Sequence, residues 1–140
     1  MRKIKEIILH CTATKAGQKL TVADIDRWHK ARGFDCIGYH YVIYQDGSVH
    51  EGRPVSLCGA HCKGHNTFSV GVAYVGGVED DGRTPKDTRT EAQKAALKKL
   101  VRELMTKYGL TLANVHCHNE YAKKACPSFS IGDFLKEMAD

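Results

Sequence analysis

The sequence predicts a single α/β domain in which a central mixed β-sheet is flanked by helices. Segments with the character of strands alternate along the chain with segments of helical periodicity, which is the pattern of a sheet covered by helices. The chain has 140 residues, enough to bury one hydrophobic core. Its hydrophobic content of 42% and charged content of 26% are ordinary for a globular protein. Residues 1–140 contain no internal repeat or low-complexity segment, so we treat them as one domain.

Five segments have the character of strands. The first is a short β-branched run, and the second and third flank the Asp46-Gly47 dipeptide, a strong hairpin signal. The fourth is apolar enough to be a central strand, and the fifth is short. The predicted strands cover residues 4–10, 39–44, 48–51, 69–75 and 114–118.

Three helices are predicted, and two of them begin at a capping box. Thr21 with Asp24 opens the first, and Thr90 with Gln93 opens the longest. A glycine follows each of these two helices, as expected at a helix end. In the first helix, either Trp28 or His29 continues the apolar face. The predicted helices cover residues 21–32, 90–108 and 131–138, and residues 52–67 and 79–89 are predicted loops.

The charge of the chain restricts its partners only weakly. The net charge is +5, which suits an anionic partner such as a cell wall, a nucleic acid or a membrane surface without selecting among them. A basic solvated surface explains the same number. No segment approaches the roughly 20 apolar residues of a membrane span, and no signal-peptide pattern is visible. We therefore expect a chain that stays in the cytoplasm until it is released or exported.

The six cysteines do not have the pattern of a fully paired disulfide framework. They lie at positions 11, 36, 58, 62, 117 and 126. If Cys126 binds a metal, five remain, and an odd number favours mostly reduced thiols. Cys58 and Cys62 could still pair with each other or with Cys36.

Three features indicate a metal site. His10 ends the first predicted strand, His116 and His118 lie at the end of the last one, and Cys126 follows eight positions after His118. Imidazole and thiolate are good zinc ligands, and three protein ligands leave a fourth position for water, as in catalytic sites. Because residues two apart in a strand share a face, spacing alone allows either histidine of the pair, or both, to approach the metal.

Cys11 and Cys117 are both expected in the core. Strand alternation turns the side chains of Cys11 and Cys117 away from the neighbouring candidate ligands. A buried cysteine of this kind behaves as a small apolar residue.

With these residues in place, the chain resembles the type 2 N-acetylmuramoyl-L-alanine amidases. It is most similar to short phage lysozyme-type amidases and more distantly similar to peptidoglycan recognition proteins. The matching segments occur in the family's order over nearly the whole chain. They are ILHCTAT (8–14), IGYHYVI (37–43), DGSV (46–49), GAHCKGHN (59–66), SVGV (69–72) and KACPSF (124–129).

The resemblance implies a zinc hydrolase with the family's mixed sheet and flanking helices. It implies that His10, His118 and Cys126 bind one zinc ion, with the gap before the cysteine selecting His118 over His116. It also implies that Tyr39 and Lys124 assist catalysis. Related phage enzymes can carry a second histidine directly after the ligand, where this chain has Asn119, and no metal role is lost by that difference.

The implied reaction is hydrolysis of the amide bond between N-acetylmuramic acid and L-alanine in bacterial peptidoglycan. Peptidoglycan or a muropeptide is then the expected partner, with no nucleic acid or membrane, and the protein is expected to be a monomer that acts on the cell wall. Similar phage amidases also bind RNA polymerase, which here rests on resemblance alone. Candidate substrate contacts are Thr12, Thr14, His61, His65 and Asn66.

Two other functions compete with the amidase interpretation. Recognition proteins of this fold can bind peptidoglycan without cutting it, but loss of the metal-binding cysteine is the expected mark of that class, and Cys126 is present. Alternatively, Cys126 could be the nucleophile of a cysteine hydrolase with His118 as its base. A chelator separates the two chemistries, since only a zinc enzyme loses activity.

Overall fold

The structure, a computed structural model that describes residues 2–139, contains seven strands and three α-helices in that range. The strands are β1 (Glu6–Cys11), β2 (Thr14–Lys15), β3 (Tyr41–Ile43), β4 (Val49–Glu51), β5 (Ser69–Tyr74), β6 (Gly77–Val78) and β7 (Val115–Cys117). The helices are α1 (Val22–Ala31), α2 (Glu91–Tyr108) and α3 (Ile131–Met138). Short 3₁₀ turns cover Asn66–Phe68, Leu112–Asn114 and His118–Glu120.

Five strands form one mixed sheet in the order β4-β3-β5-β1-β7. β1 pairs in parallel with β5 and β7, β3 pairs in parallel with β5, and β4 is antiparallel to β3. This arrangement confirms the predicted fold class. Strands β2 and β6 form a separate parallel pair that the sequence analysis missed, because two-residue strands are too short to show a periodicity.

Helices cover both faces of the sheet and bury two apolar clusters. The larger cluster contains Ile7, Leu9 and Cys11 of β1 together with residues of α2 and α3. The smaller one contains Ile25 of α1 and Val42 of β3. Because side chains alternate along β1, His10 faces away from α2 and α3. The sheet thereby directs one candidate ligand to the face on which α1 lies.

The helix boundaries follow the sequence signals closely. Both predicted capping boxes are formed, at Thr21 and at Thr90. Gly109 ends α2 in the left-handed conformation at φ 66°, which a glycine adopts without a steric cost. On α1 the buried position is His29, whereas Trp28 is 44% exposed.

The strands are shorter than predicted. β3 begins at Tyr41, so Tyr39 precedes it, and β7 ends at Cys117, so His118 begins a 3₁₀ turn. Because β7 ends at Cys117, His116 and His118 do not belong to one strand, and the alternation that would place both on one face does not apply to them.

The cysteines have the character expected of reduced thiols. All six are free. Cys11 and Cys117 are buried in the core, 4% and 0% exposed. Within residues 2–139, no helix is both long and apolar enough to cross a membrane.

Candidate metal and catalytic site

His10, His118 and Cys126 converge at the ends of the two neighbouring strands β1 and β7. Their candidate ligand atoms all lie within 4.8 Å of one another. Cys126 Sγ is 3.8 Å from His10 Nδ1, and the two imidazole rings are 4.6 Å apart between centroids. Both histidines are buried and the cysteine is half-buried. The structure therefore brings together three residues that the resemblance selected.

Each of the three side chains is placed by a different piece of backbone. His10 is the second-last residue of β1, where it lies opposite Ala73 of β5. His118 follows β7, whose Cys117 is in register with Leu9. Cys126 comes from the turn before α3, and its Sγ accepts a hydrogen bond from the backbone N–H of Cys11 at 3.2 Å.

The unpaired atoms of this cluster fit a metal ion. His118 Nδ1 is buried and has no hydrogen-bond partner, which is uncommon for a buried polar atom and calls for a ligand. His10 Nε2 is paired with His61 Nδ1 at 2.8 Å, which leaves His10 Nδ1 on the side of the cysteine sulfur. Two imidazole nitrogens and one sulfur are a donor set that suits zinc.

The electrostatics of the cluster favour neutral imidazoles. Burial, together with the neighbouring His61, lowers the pKa of His10 well below its ordinary value. Burial also lowers the pKa of His118. Cys11 and burial raise the pKa of the Cys126 thiol, so that a nearby cation is needed to hold it as a thiolate.

A cavity of about 700 Å³ opens onto the cluster. His10, His118, Tyr39 and Lys124 all contribute to its wall. Its size lies within the range of ligand-binding clefts, roughly 300–1,000 Å³. A molecule in this cavity would lie against two of the three candidate ligands, His10 and His118, and against both candidate catalytic residues.

Tyr39 lies beside the cluster and keeps its proton. Its ring centroid is 5.3 Å from that of His10 and 5.4 Å from that of His29. Burial raises the pKa of the phenol above its ordinary value, so Tyr39 is a hydrogen-bond donor at neutral pH.

Lys124 supplies positive charge at the rim. Its side chain is exposed, and its ammonium group contributes to lowering the pKa of both His10 and His118.

A comparison with known protein families identifies the family of this chain. The family model described as N-acetylmuramoyl-L-alanine amidase matches residues 1–129. The chain belongs to this family. It is accordingly an amidase of peptidoglycan, as the resemblance in the sequence predicts.

Individual relatives agree with this assignment. An endolysin of Klebsiella phage KP32 is 42% identical over 130 residues, which cover 93% of this chain and 84% of the endolysin. Peptidoglycan-recognition protein SC2 of Drosophila melanogaster is 28% identical over 140 residues, covering 95% and 73% of the two chains. The solved structure of the amidase LysC from Clostridium intestinale superimposes with a TM-score of 0.83 at 29% identity, over 99% of this chain and 87% of LysC.

Two of the loop residues named from the sequence lie in the cavity of the amidase. His61 is buried, with Nδ1 against His10 and Nε2 at 3.2 Å from Ser69 Oγ. Asn66 Oδ1 accepts hydrogen bonds from the backbone N–H groups of His61 and Cys62, each at 3.0 Å. Asn66 therefore shapes the loop that carries His61, a role that the sequence analysis did not foresee.

The other three candidate substrate contacts lie outside the cavity wall. Thr12 and Thr14 bond to each other at 2.8 Å, and the backbone N–H of Gly76 donates to Thr12 Oγ1 at 3.0 Å. His65 Nδ1 is 3.0 Å from Glu6 Oε1, and its ring stacks on Tyr121 at 3.7 Å. These side chains connect neighbouring segments, and their contact with substrate stays a prediction.

His116 lies apart from the candidate ligands. Its Nδ1 is 3.2 Å from Glu120 Oε1, on the 3₁₀ turn that His118 begins. Of the two histidines that the spacing allowed, only His118 belongs to the candidate metal-ligating group found among residues 2–139.

Among the residues of the cavity wall that the sequence analysis missed, five have large polar or aromatic side chains. Three of them lie on α1 or just after it, and two lie in loops near the cluster. They are His29, Arg32, Phe34, Lys63 and Tyr121. A histidine at the end of an amphipathic helix carried no signal of a cavity, because the distance from α1 to β1 is set only by tertiary packing.

Proposed function

We propose that the amidase is a zinc enzyme that cleaves the bond between N-acetylmuramic acid and L-alanine, with one ion held by His10, His118 and Cys126. The observation that carries this proposal is the buried, partnerless Nδ1 of His118 beside His10 and Cys126, at the wall of a cavity large enough for part of a muropeptide. Zinc in such a site activates water near neutral pH and polarises the scissile carbonyl.

Lys124 is proposed to stabilise the negative charge that develops on the carbonyl oxygen during attack. Lys124 stands two residues before Cys126, and it lines the same cavity as His10 and His118. A cation placed near developing negative charge stabilises it in the transition state.

Tyr39 is proposed to donate a hydrogen bond to the reacting groups and to help pass a proton to the leaving amine of L-alanine. Its raised pKa keeps the phenol protonated, so its Oη–H is available as a donor. Among residues 2–139, no glutamate or aspartate contributes to the wall of this cavity, so Tyr39 is proposed to take part of the proton transfer.

We further propose that residues 1–140 act on the cell wall as one monomeric catalytic domain. The supporting observation is that one five-stranded sheet, with apolar clusters on its faces, contains both β1, which carries His10, and β7, which His118 follows.

The test is digestion of purified peptidoglycan by the purified protein, with its metal content measured in parallel. The zinc amidase should release free L-alanine amino termini and no new reducing sugar ends. A chelator should abolish this activity and added zinc should restore it. New reducing ends would contradict amidase chemistry, and full activity in the metal-free protein would favour the cysteine hydrolase instead.

A further inference from the structure

His61 joins a candidate metal ligand to the interior of the sheet. Its Nδ1 is 2.8 Å from His10 Nε2, and its Nε2 is 3.2 Å from Ser69 Oγ at the start of β5. Ser69 is fully buried, and His10 and His61 are only 2% and 8% exposed. Three buried polar groups thus form one chain of hydrogen bonds that leads away from the cavity.

Two glycines make room for the His61 ring. A β-carbon added at Gly71, in the middle of β5, would lie 2.6 Å from the ring carbons of His61, well inside van der Waals contact. A β-carbon at Gly59 would also collide with this ring. Glycine weakens a strand interior and is found there where another group approaches closely. The backbone is therefore built around the ring of His61 in this position.

The hydrogen-bond chain has one consistent direction if His10 binds a metal through Nδ1. A neutral imidazole that uses the Nδ1 lone pair carries its proton on Nε2. His10 Nε2–H then donates to His61 Nδ1, which leaves the proton of His61 on Nε2, where it donates to Ser69 Oγ. Such partners fix the ring orientation and tautomer of a metal-bound histidine.

We propose that His61 is a positioning residue that holds His10 with Nδ1 directed at the metal, in a chain that Ser69 ends and that Gly59 and Gly71 accommodate. The proposal rests on the proposed function, since it assumes zinc at His10. It adds a role for a residue that does not itself belong to the ligand group.

The experiment measures the zinc affinity of the full chain by competition with a chromogenic chelator. His61→Leu removes the acceptor and should weaken zinc binding about 10- to 100-fold, the usual effect of losing such a partner. His61→Asn places an amide oxygen near the position of Nδ1 and should recover most of the loss. Gly71→Ala, which displaces the ring, should weaken binding in the same direction as His61→Leu.

His65→Leu is the matched control. It replaces a histidine of the same loop that bonds to Glu6 rather than to a ligand, and it should leave zinc affinity unchanged. Denaturant unfolding of each metal-free variant shows which of them fold. The ¹⁵N imidazole signals of zinc-loaded wild type provide a second readout, with both His10 and His61 expected as Nε2–H tautomers.

Equal zinc affinities of wild type and His61→Leu would overturn the positioning role, as would a His61 protonated on Nδ1. If His61→Leu does not fold, Gly71→Ala and the tautomers decide the question. A wild-type protein without stoichiometric zinc would overturn the proposed function itself, which is a distinguishable outcome.

Discussion

The backbone N–H of Cys11 donates a hydrogen bond to the sulfur of Cys126, 115 residues later in the chain. This bond attaches the turn before α3 to the end of β1, next to His10. A cysteine held in this way has its sulfur directed before any metal arrives.

Cys126→Ala should abolish stoichiometric zinc binding, because two imidazoles alone would remain of the proposed ligand set. Metal content after dialysis measures this directly. Cys36→Ala is the control, since Cys36 is a free thiol outside the ligand group. If Cys126→Ala retains one equivalent of zinc, the ligand assignment is wrong.

Tyr39→Phe should lower kcat by about 10²–10⁴-fold while leaving bound zinc near one equivalent, since it removes only the phenolic donor. The aromatic contacts with His10 and His29 are retained in this variant. The measurement is the rate of amine release from peptidoglycan at saturating substrate. An unchanged kcat would remove Tyr39 from the catalytic machinery.

Lys124→Ala should reduce kcat on the order of 10²-fold, as expected when a group that stabilises developing negative charge is lost. Lys123→Ala offers a close comparison, because Lys123 is also exposed but does not contribute to the cavity wall. Zinc content should stay the same in both variants. Equal rates for the two would mean that general surface charge, rather than Lys124, acts in turnover.

Arg89→Leu should lower the free energy of unfolding by about 3–5 kcal/mol, the usual cost of breaking a buried ion pair. The Arg89 side chain is 1% exposed, and its guanidinium binds Asp87 and Glu137 of α3 at 2.9 and 2.8 Å. Urea unfolding measures the loss. Arg83→Leu, at an exposed loop position, should change stability little, and an equal effect of both substitutions would contradict the prediction.

The element order of this protein could be read from its sequence with few errors. The capping boxes at Thr21 and Thr90 act within one helical turn, so they signal helix starts without tertiary information. The alternation of side-chain directions along a strand likewise predicts that Cys11, next to His10, enters the core, where it is 4% exposed. The strand ends were predicted less accurately, because the point where a strand ends depends on its pairing with the neighbouring strand of the sheet.

The candidate site likewise has features that the sequence determines and features that only the fold determines. The residue types of the ligand group and its order along the chain are properties of the sequence, and the family resemblance selects His118 over His116. The tertiary structure explains this selection physically, since β7 ends at Cys117 and the following turn directs His118 toward His10 while His116 meets Glu120. No local pattern contains that information.

The sequence by itself determined the fold class, the helix starts and the chemical character of the candidate metal ligands, because these depend on interactions between near neighbours or on the residue types themselves. Only the tertiary structure decided that His61 forms a hydrogen bond with His10, and that Thr12 and Thr14 bond to each other and to Gly76. The His10–His61 and Thr12–Gly76 bonds join residues 51 and 64 positions apart. They exist only once the sheet has fixed the register of its strands, since a shift of one residue would turn His10 to the opposite face.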